Sequence, residues 1–233
     1  MKRIGLIGGL GPESTLDYYK GIITAFKREK DDLHYPEIIL YSVDLAAFLE
    51  LMKARAYDRI IEVFLEKINA LKSAGAEFVA ITANTPHLFF DRIKERSALP
   101  LISIVEATCQ EMVQQGLKRP GLLGTGFTMG ATFYQDVFDR QGIEIALPQQ
   151  EEREIIDRKL FSEIELGIFK DETRSLLITI IARMVREQHI DSLILGCTEF
   201  PLILTGSEYA GIPMLNTTRI HVEAIVKYCR HSA

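Results

Sequence analysis

The chain has 233 residues, 47% of them hydrophobic and 25% charged, with a formal net charge of -5. That length holds one large domain or two small ones, with ample apolar material for a core. The acidic balance, with no Lys/Arg-rich run, argues against a nucleic-acid surface, and no apolar run approaches the roughly 18 residues of a membrane helix.

Met1-Lys2-Arg3 lead directly into a strand-like run with no signal-peptide layout, so a cytoplasmic protein is expected. The three cysteines, Cys109, Cys197 and Cys229, include no C-x-x-C pair, which points to a reducing compartment and against a disulfide framework. No Cys/His pair has ligand spacing and H-E-x-x-H is absent, so no metal is expected.

Short apolar runs, expected as strands, fall at 3–7, 37–43, 78–82, 101–104, 121–124, 143–146, 192–196 and 213–215. Nearly all-apolar strands of this length belong to parallel sheets covered on both faces. Helical patterns lie between most of them. Over 57–74, Ile60, Ile61, Phe64, Leu65, Ile68 and Leu71 make an apolar stripe at helical spacing, and Gly75 ends it. The alternation predicts an α/β fold.

The chain also repeats itself. Ile4-Gly5-Leu6-Ile7-Gly8-Gly9 resembles Pro120-Gly121-Leu122-Leu123-Gly124-Thr125. Gly8 stands 75 positions before Ala83, and Gly124 stands 73 before Cys197. A Pro-containing apolar run follows each polar turn, at 17 and 16 positions. Three landmarks at near-equal spacing indicate a duplication. Two pseudo-symmetric lobes of about four parallel strands each are therefore expected, residues 1–116 plus 212–233 and residues 117–211. Ligands of open α/β sheets bind beyond the strand C-terminal ends, which predicts a cleft lined by both polar turns.

In chain order, Gly8-Gly9-Leu10-Gly11-Pro12-Glu13-Ser14-Thr15 follows the first strand and opens a helix. Either turn geometry explains its glycines, or the helix N-terminal amides hold a carboxylate. Lys53 and Arg55 follow the second strand; they are surface residues or recognise a second carboxylate. Ala83-Asn84-Thr85-Pro86-His87 reads as a helix start, with Thr85 as N-cap and Pro86 at the first helical position. The Asn84 amide suits a zwitterionic ligand, whereas His87 taken alone is structural. Thr125 and Thr128 stand on the loop after the fifth strand, there to bond the local backbone or to hold a carboxylate.

Gly196-Cys197-Thr198-Glu199 carries the sharpest signal. An unperturbed thiol titrates at about 8.5, and a helix N-terminus lowers it. A partly ionised Cys197 there serves as base, acid or nucleophile, against the alternative of a buried structural cysteine.

With these runs assembled, the chain resembles the aspartate/glutamate racemase superfamily, and most of all its aspartate racemase branch, over essentially its full length. The carriers are residues 4–15, 83–87, Gly124-Thr125 with Thr128, Gly196-Cys197-Thr198-Glu199 and, more weakly, 213–221. The resemblance implies cofactor-independent racemisation of an amino acid in a cleft between two lobes, by an enzyme that is often a homodimer, with a small amino acid or dicarboxylate as its partner. It implies one cysteine on each face of the substrate, with Cys197 matching the second and position 83 the first. It implies ligand contacts from Gly9, Leu10, Gly11, Asn84, Thr85, Thr125, Thr128, Thr198 and Glu199.

Two departures stand out. Ala83 cannot move a proton, and Asn216 replaces an expected aspartate near His221. The opposite face then falls to a hydroxyl, from Thr82 or Thr85, or to water. Alternatives are a single-cysteine decarboxylase or isomerase of the same superfamily, and a catalytically poor binder of a small carboxylate.

Overall fold

The computed structural model describes residues 1–28 and 33–230. The chain divides into two compact units, Met1–Ile104 with Thr218–Ala233, and Val105–Thr217. Among the described residues no helix is long and apolar enough to cross a membrane.

The first unit runs β1 (Ile4–Gly8), α1 (Pro12–Lys27), β2 (Ile38–Ser42), α2 (Leu45–Lys53), α3 (Tyr57–Ser73), β3 (Phe78–Ile81), a 3-10 turn (Thr85–Phe89), α4 (Phe90–Arg96) and β4 (Leu101–Ile102). Its sheet has the order β2-β1-β3-β4, all parallel. The stripe read from the sequence is the buried face of α3, with Ile60, Ile61, Phe64, Leu65, Ile68 and Leu71. Gly75 closes that helix at φ 101°, while Ala76 N–H donates to Leu71 O at 2.9 Å. A left-handed glycine just past the helix satisfies carbonyls that would otherwise be orphaned.

The second unit begins with α5 (Ile104–Gln114) and continues β5 (Pro120–Gly124), α6 (Gly126–Gly130), α7 (Phe133–Asp139), α8 (Gln150–Ser162) and a 3-10 turn (Ile164–Leu166). Then come α9 (Asp171–Gln188), β6 (Ser192–Gly196), α10 (Phe200–Ile203), β7 (Glu208–Tyr209) and β8 (Ile212–Asn216). Its sheet has the order β5-β6-β8-β7. The last helix, α11 (Thr217–Arg230), returns to the first unit, where Val222, Ile225, Val226 and Cys229 pack with Tyr18, Ile22 and Phe26. The second core gathers Leu123, Leu160, Leu177, Ile181, Met184, Leu193 and Phe200.

The strand orders β1-β3-β4 and β5-β6-β8 correspond, as the sequence repeat predicts. The segment 143–146 does not form the expected strand. It is reduced to one parallel bridge, Gly121 with Ala146. The cause is Gln135, whose side chain donates to Ile143 O at 3.2 Å and accepts from Ile145 N at 3.0 Å. Backbone groups held by a side chain cannot join a ladder. The fourth strand is instead β7, antiparallel to β8 across Ala210 and Gly211, both at positive φ. By contact, residues 105–116 and 212–217 group with the second unit, and β8 takes its ladder from β6.

Candidate active site

Within the first unit the glycine loop leaves β1 through Gly9 at φ 81°. A Cβ there would stand 2.3 Å from Val43 O, so only glycine fits between β1 and the end of β2. The loop is closed by Thr15. Gly9 N–H donates to Thr15 Oγ1 at 2.9 Å, and the Thr15 hydroxyl donates to Gly11 O at 3.0 Å. Leu10 and Gly11 are buried beside the start of α1.

The turn after β3 carries Ala83, buried at 7% exposure, and Asn84, at 3%. Asn84, not Thr85, takes the N-cap position, and without a side-chain cap bond; Thr85 is the first residue of a 3-10 turn. Pro86 explains the tight start, since it supplies a fixed φ and needs no donor. The Thr82 hydroxyl donates to Ile7 O at 3.2 Å in a fully buried setting, a use that secures the strand end. Thr85 is half-buried.

His87 fixes this turn. Its Nδ1 bonds Ala83 O at 2.9 Å, and its Nε2 accepts from Ile104 N–H at 3.3 Å, so the proton sits on Nδ1. His221 is buried nearby in the opposite tautomer. Its Nε2 donates to Ile102 O at 3.0 Å, and its Nδ1 meets Tyr18 OH at 2.8 Å. Burial, with His221 adding to it, pulls His87 down to about 3, and burial pulls His221 down to about 4. Both rings are neutral struts at pH 7. Lys53 and Arg55 are exposed around the turn between α2 and α3, Arg55 at φ 53°.

In the second unit Thr125 caps α6, accepting from Thr128 N–H at 3.2 Å, and its Oγ1 lies 3.2 Å from Thr128 Oγ1. The two hydroxyls are thus buried together at the end of β5. Gly124 and Gly196 allow this packing, since a Cβ at either would strike Thr128 or Leu122 at under 3 Å.

Cys197 follows β6 and is 4% exposed. Its sulphur lies 3.1 Å from Glu199 Oε2 and 3.6 Å from Glu165 Oε1. The Thr198 hydroxyl donates to the same Glu199 oxygen at 2.9 Å. The expectation of a lowered thiol pKa is corrected here. Burial, then the charges of Glu199 and Glu165, push Cys197 well above the ordinary thiol value, against the pull of the Glu199 backbone N–H. The helix that follows has only four residues, Phe200–Ile203, with Glu199 as N-cap, too short for its dipole to outweigh two carboxyls.

Glu165 was not legible in the sequence, since 32 positions separate it from Cys197. It stands on the 3-10 turn after α8. Glu163 anchors that turn with Lys159 Nζ at 2.7 Å and Lys170 Nζ at 3.1 Å, and those bonds with that of Thr173 hold Glu163 at about 2. Gly167 closes the turn at φ 72°. Burial, then the charge of Glu199, lifts Glu165 to about 7. Among the described residues, the Cys197 sulphur and a carboxyl oxygen each of Glu165 and Glu199 all lie within 4.8 Å of one another, close enough to share a proton.

The family model for Asp/Glu/Hydantoin racemase matches residues 7–225. The broad specificity amino-acid racemase RacX of Bacillus subtilis (strain 168) is 24% identical over 218 residues, 92% of each protein. The crystal structure of an aspartate racemase homologue from Pyrococcus horikoshii OT3 matches with a TM-score of 0.86 at 33% identity, over 99% of this chain and 100% of that one. Picrophilus torridus aspartate racemase has the same fold, with a TM-score of 0.71 at 20% identity over 98% of this chain and 94% of that one.

Proposed function

The chain belongs to the Asp/Glu/Hydantoin racemase family, and from that premise we propose that it racemises a free α-amino acid without a cofactor, with Cys197 moving the α-proton. The observation that carries this reading is the buried Cys197 sulphur with the Glu199 carboxyl 3.1 Å away. A thiol held well above its ordinary pKa rests as S–H, ready to donate to a carbanion. To act as base it must first hand its proton to a carboxylate, and both Glu199 Oε2, at 3.1 Å, and Glu165 Oε1, at 3.6 Å, face the sulphur. Low dielectric favours such a handover, because the exchange moves one charge rather than creating a new pair.

Within the first unit, Leu10 and Gly11 at the head of α1 and the Asn84 amide offer donors for a carboxylate or an acceptor for an ammonium. Ala83, matched in sequence to a first cysteine, supplies no acid. Turnover is therefore weighted to the Cys197 side, with Thr85 or water as the second proton carrier. The substrate class is the α-amino acid. The family name covers aspartate and glutamate, and the Bacillus subtilis relative is named for broad specificity. The test is to incubate both enantiomers of the common amino acids in deuterated water and follow loss of the α-proton. Exchange from at least one enantiomer is expected; exchange from none sinks the reading.

The resting thiol and the Ala83 methyl together favour one second reading, a single-donor reaction such as decarboxylation of a substituted malonate. Stereospecific deuteration of a malonate-derived product, with no amino-acid exchange, would select it.

A further inference from the structure

We infer that Glu165 is the proton outlet of Cys197, passing the thiol's proton between the buried sulphur and solvent. The inference rests on the racemase reading above and adds a residue to its site. Three groups meet at the sulphur, and their surroundings differ. Cys197 and Glu199 are each 4% exposed, and Glu199 Oε2 already receives the Thr198 hydroxyl. Glu165 is half-buried, so it alone of the three lies against Sγ, at 3.6 Å, and is also partly exposed at the surface of its unit. Its position is built rather than incidental, since the Glu163 ion pairs and the left-handed Gly167 bracket the 3-10 turn that presents it.

The steps balance. The Cys197 S–H bond breaks with its electron pair left on sulphur, and the proton forms an O–H bond on the Glu165 carboxylate, which releases it to water. The thiolate then takes the substrate α-proton, the Cα–H electron pair staying on carbon. Return of a solvent-derived proton along the same path labels the α-carbon. The groups facing Glu165 are Cys197 and Glu199 from the turn after β6. The cations on its own side, Lys159 and Lys170, are bonded to Glu163. Partly buried and facing the Glu199 carboxyl, Glu165 changes protonation close to neutrality, which suits a group that must both accept and release a proton.

The experiment compares wild type and Glu165→Gln in deuterated water, on an amino acid that wild type exchanges. Gln keeps the shape and removes the titration. The expected result is an exchange rate about tenfold lower with KM unchanged, because Glu165 acts through the sulphur and not on the substrate. As a check that needs no variant, wild-type exchange should rise with pH through neutrality. Equal exchange rates in the two proteins, or a flat wild-type profile from pH 6 to 8, overturn the outlet and leave the racemase reading intact. No exchange by wild type with any amino acid overturns both.

Discussion

Lowering the pH should cost this protein stability through its two buried histidines, and the size follows from their surroundings. The unfolded chain protonates histidine at about 6.5, whereas the folded chain holds His87 at about 3 and His221 at about 4. A folded pKa below the unfolded one means that stability is whole above about 6.5. It is lost as pH falls towards the folded values, because only the unfolded chain takes up the proton. Each histidine contributes a slope of about 1.4 kcal/mol per pH unit in that window. Glu165 opposes them. The folded chain keeps its proton up to about 7 while the unfolded chain releases it near 4.5, so it favours folding as pH falls. Between pH 4.5 and 6.5 the three groups leave one net proton, a slope of about 1.4 kcal/mol per unit. His87→Asn keeps a donor for Ala83 O and removes the titration, so this slope should fall to near zero. Urea unfolding followed by circular dichroism at half-unit pH steps measures it. An unchanged slope in the variant would refute the claim that His87 is a neutral strut beneath the Ala83 turn.

Three further outcomes are expected. Ala83→Cys should raise the racemisation rate about tenfold or more if the missing first acid is the bottleneck, read by circular dichroism of the substrate. Gly9→Ala puts a Cβ 2.3 Å from Val43 O at φ 81°, and should lower the melting temperature by several degrees. Thr125→Ala removes the cap of α6 and should cost about 1 kcal/mol in urea unfolding, with no change in the pH slope above.

Local pattern carried much of the fold. Six apolar residues at helical spacing named the buried face of α3, and matched glycines and prolines exposed the duplication. What stayed hidden depended on contacts remote in sequence. An apolar run at 143–146 reads as a strand until Gln135 captures its backbone. Strand β7 spans only two residues, and its turn uses Ala210 at positive φ, which composition does not announce.

The site divides in the same way. The place of Cys197 was legible from the turn motif after an apolar strand. Its protonation was not, because the motif suggests a helix N-terminus while the folded chain supplies burial and two carboxyls. Glu165 carries no local signal at all, since it gains meaning only when the 3-10 turn after α8 brings it to the sulphur.

The most direct test of the central claim follows the α-proton signal of the best amino-acid substrate by NMR in deuterated water, with wild type and Cys197→Ser side by side. Wild type should replace the α-proton with deuterium, and the serine variant should do so at least about a hundredfold more slowly, a hydroxyl being a far weaker acid than a thiol. Exchange at equal rates in both proteins would contradict the assignment of the chemistry to Cys197.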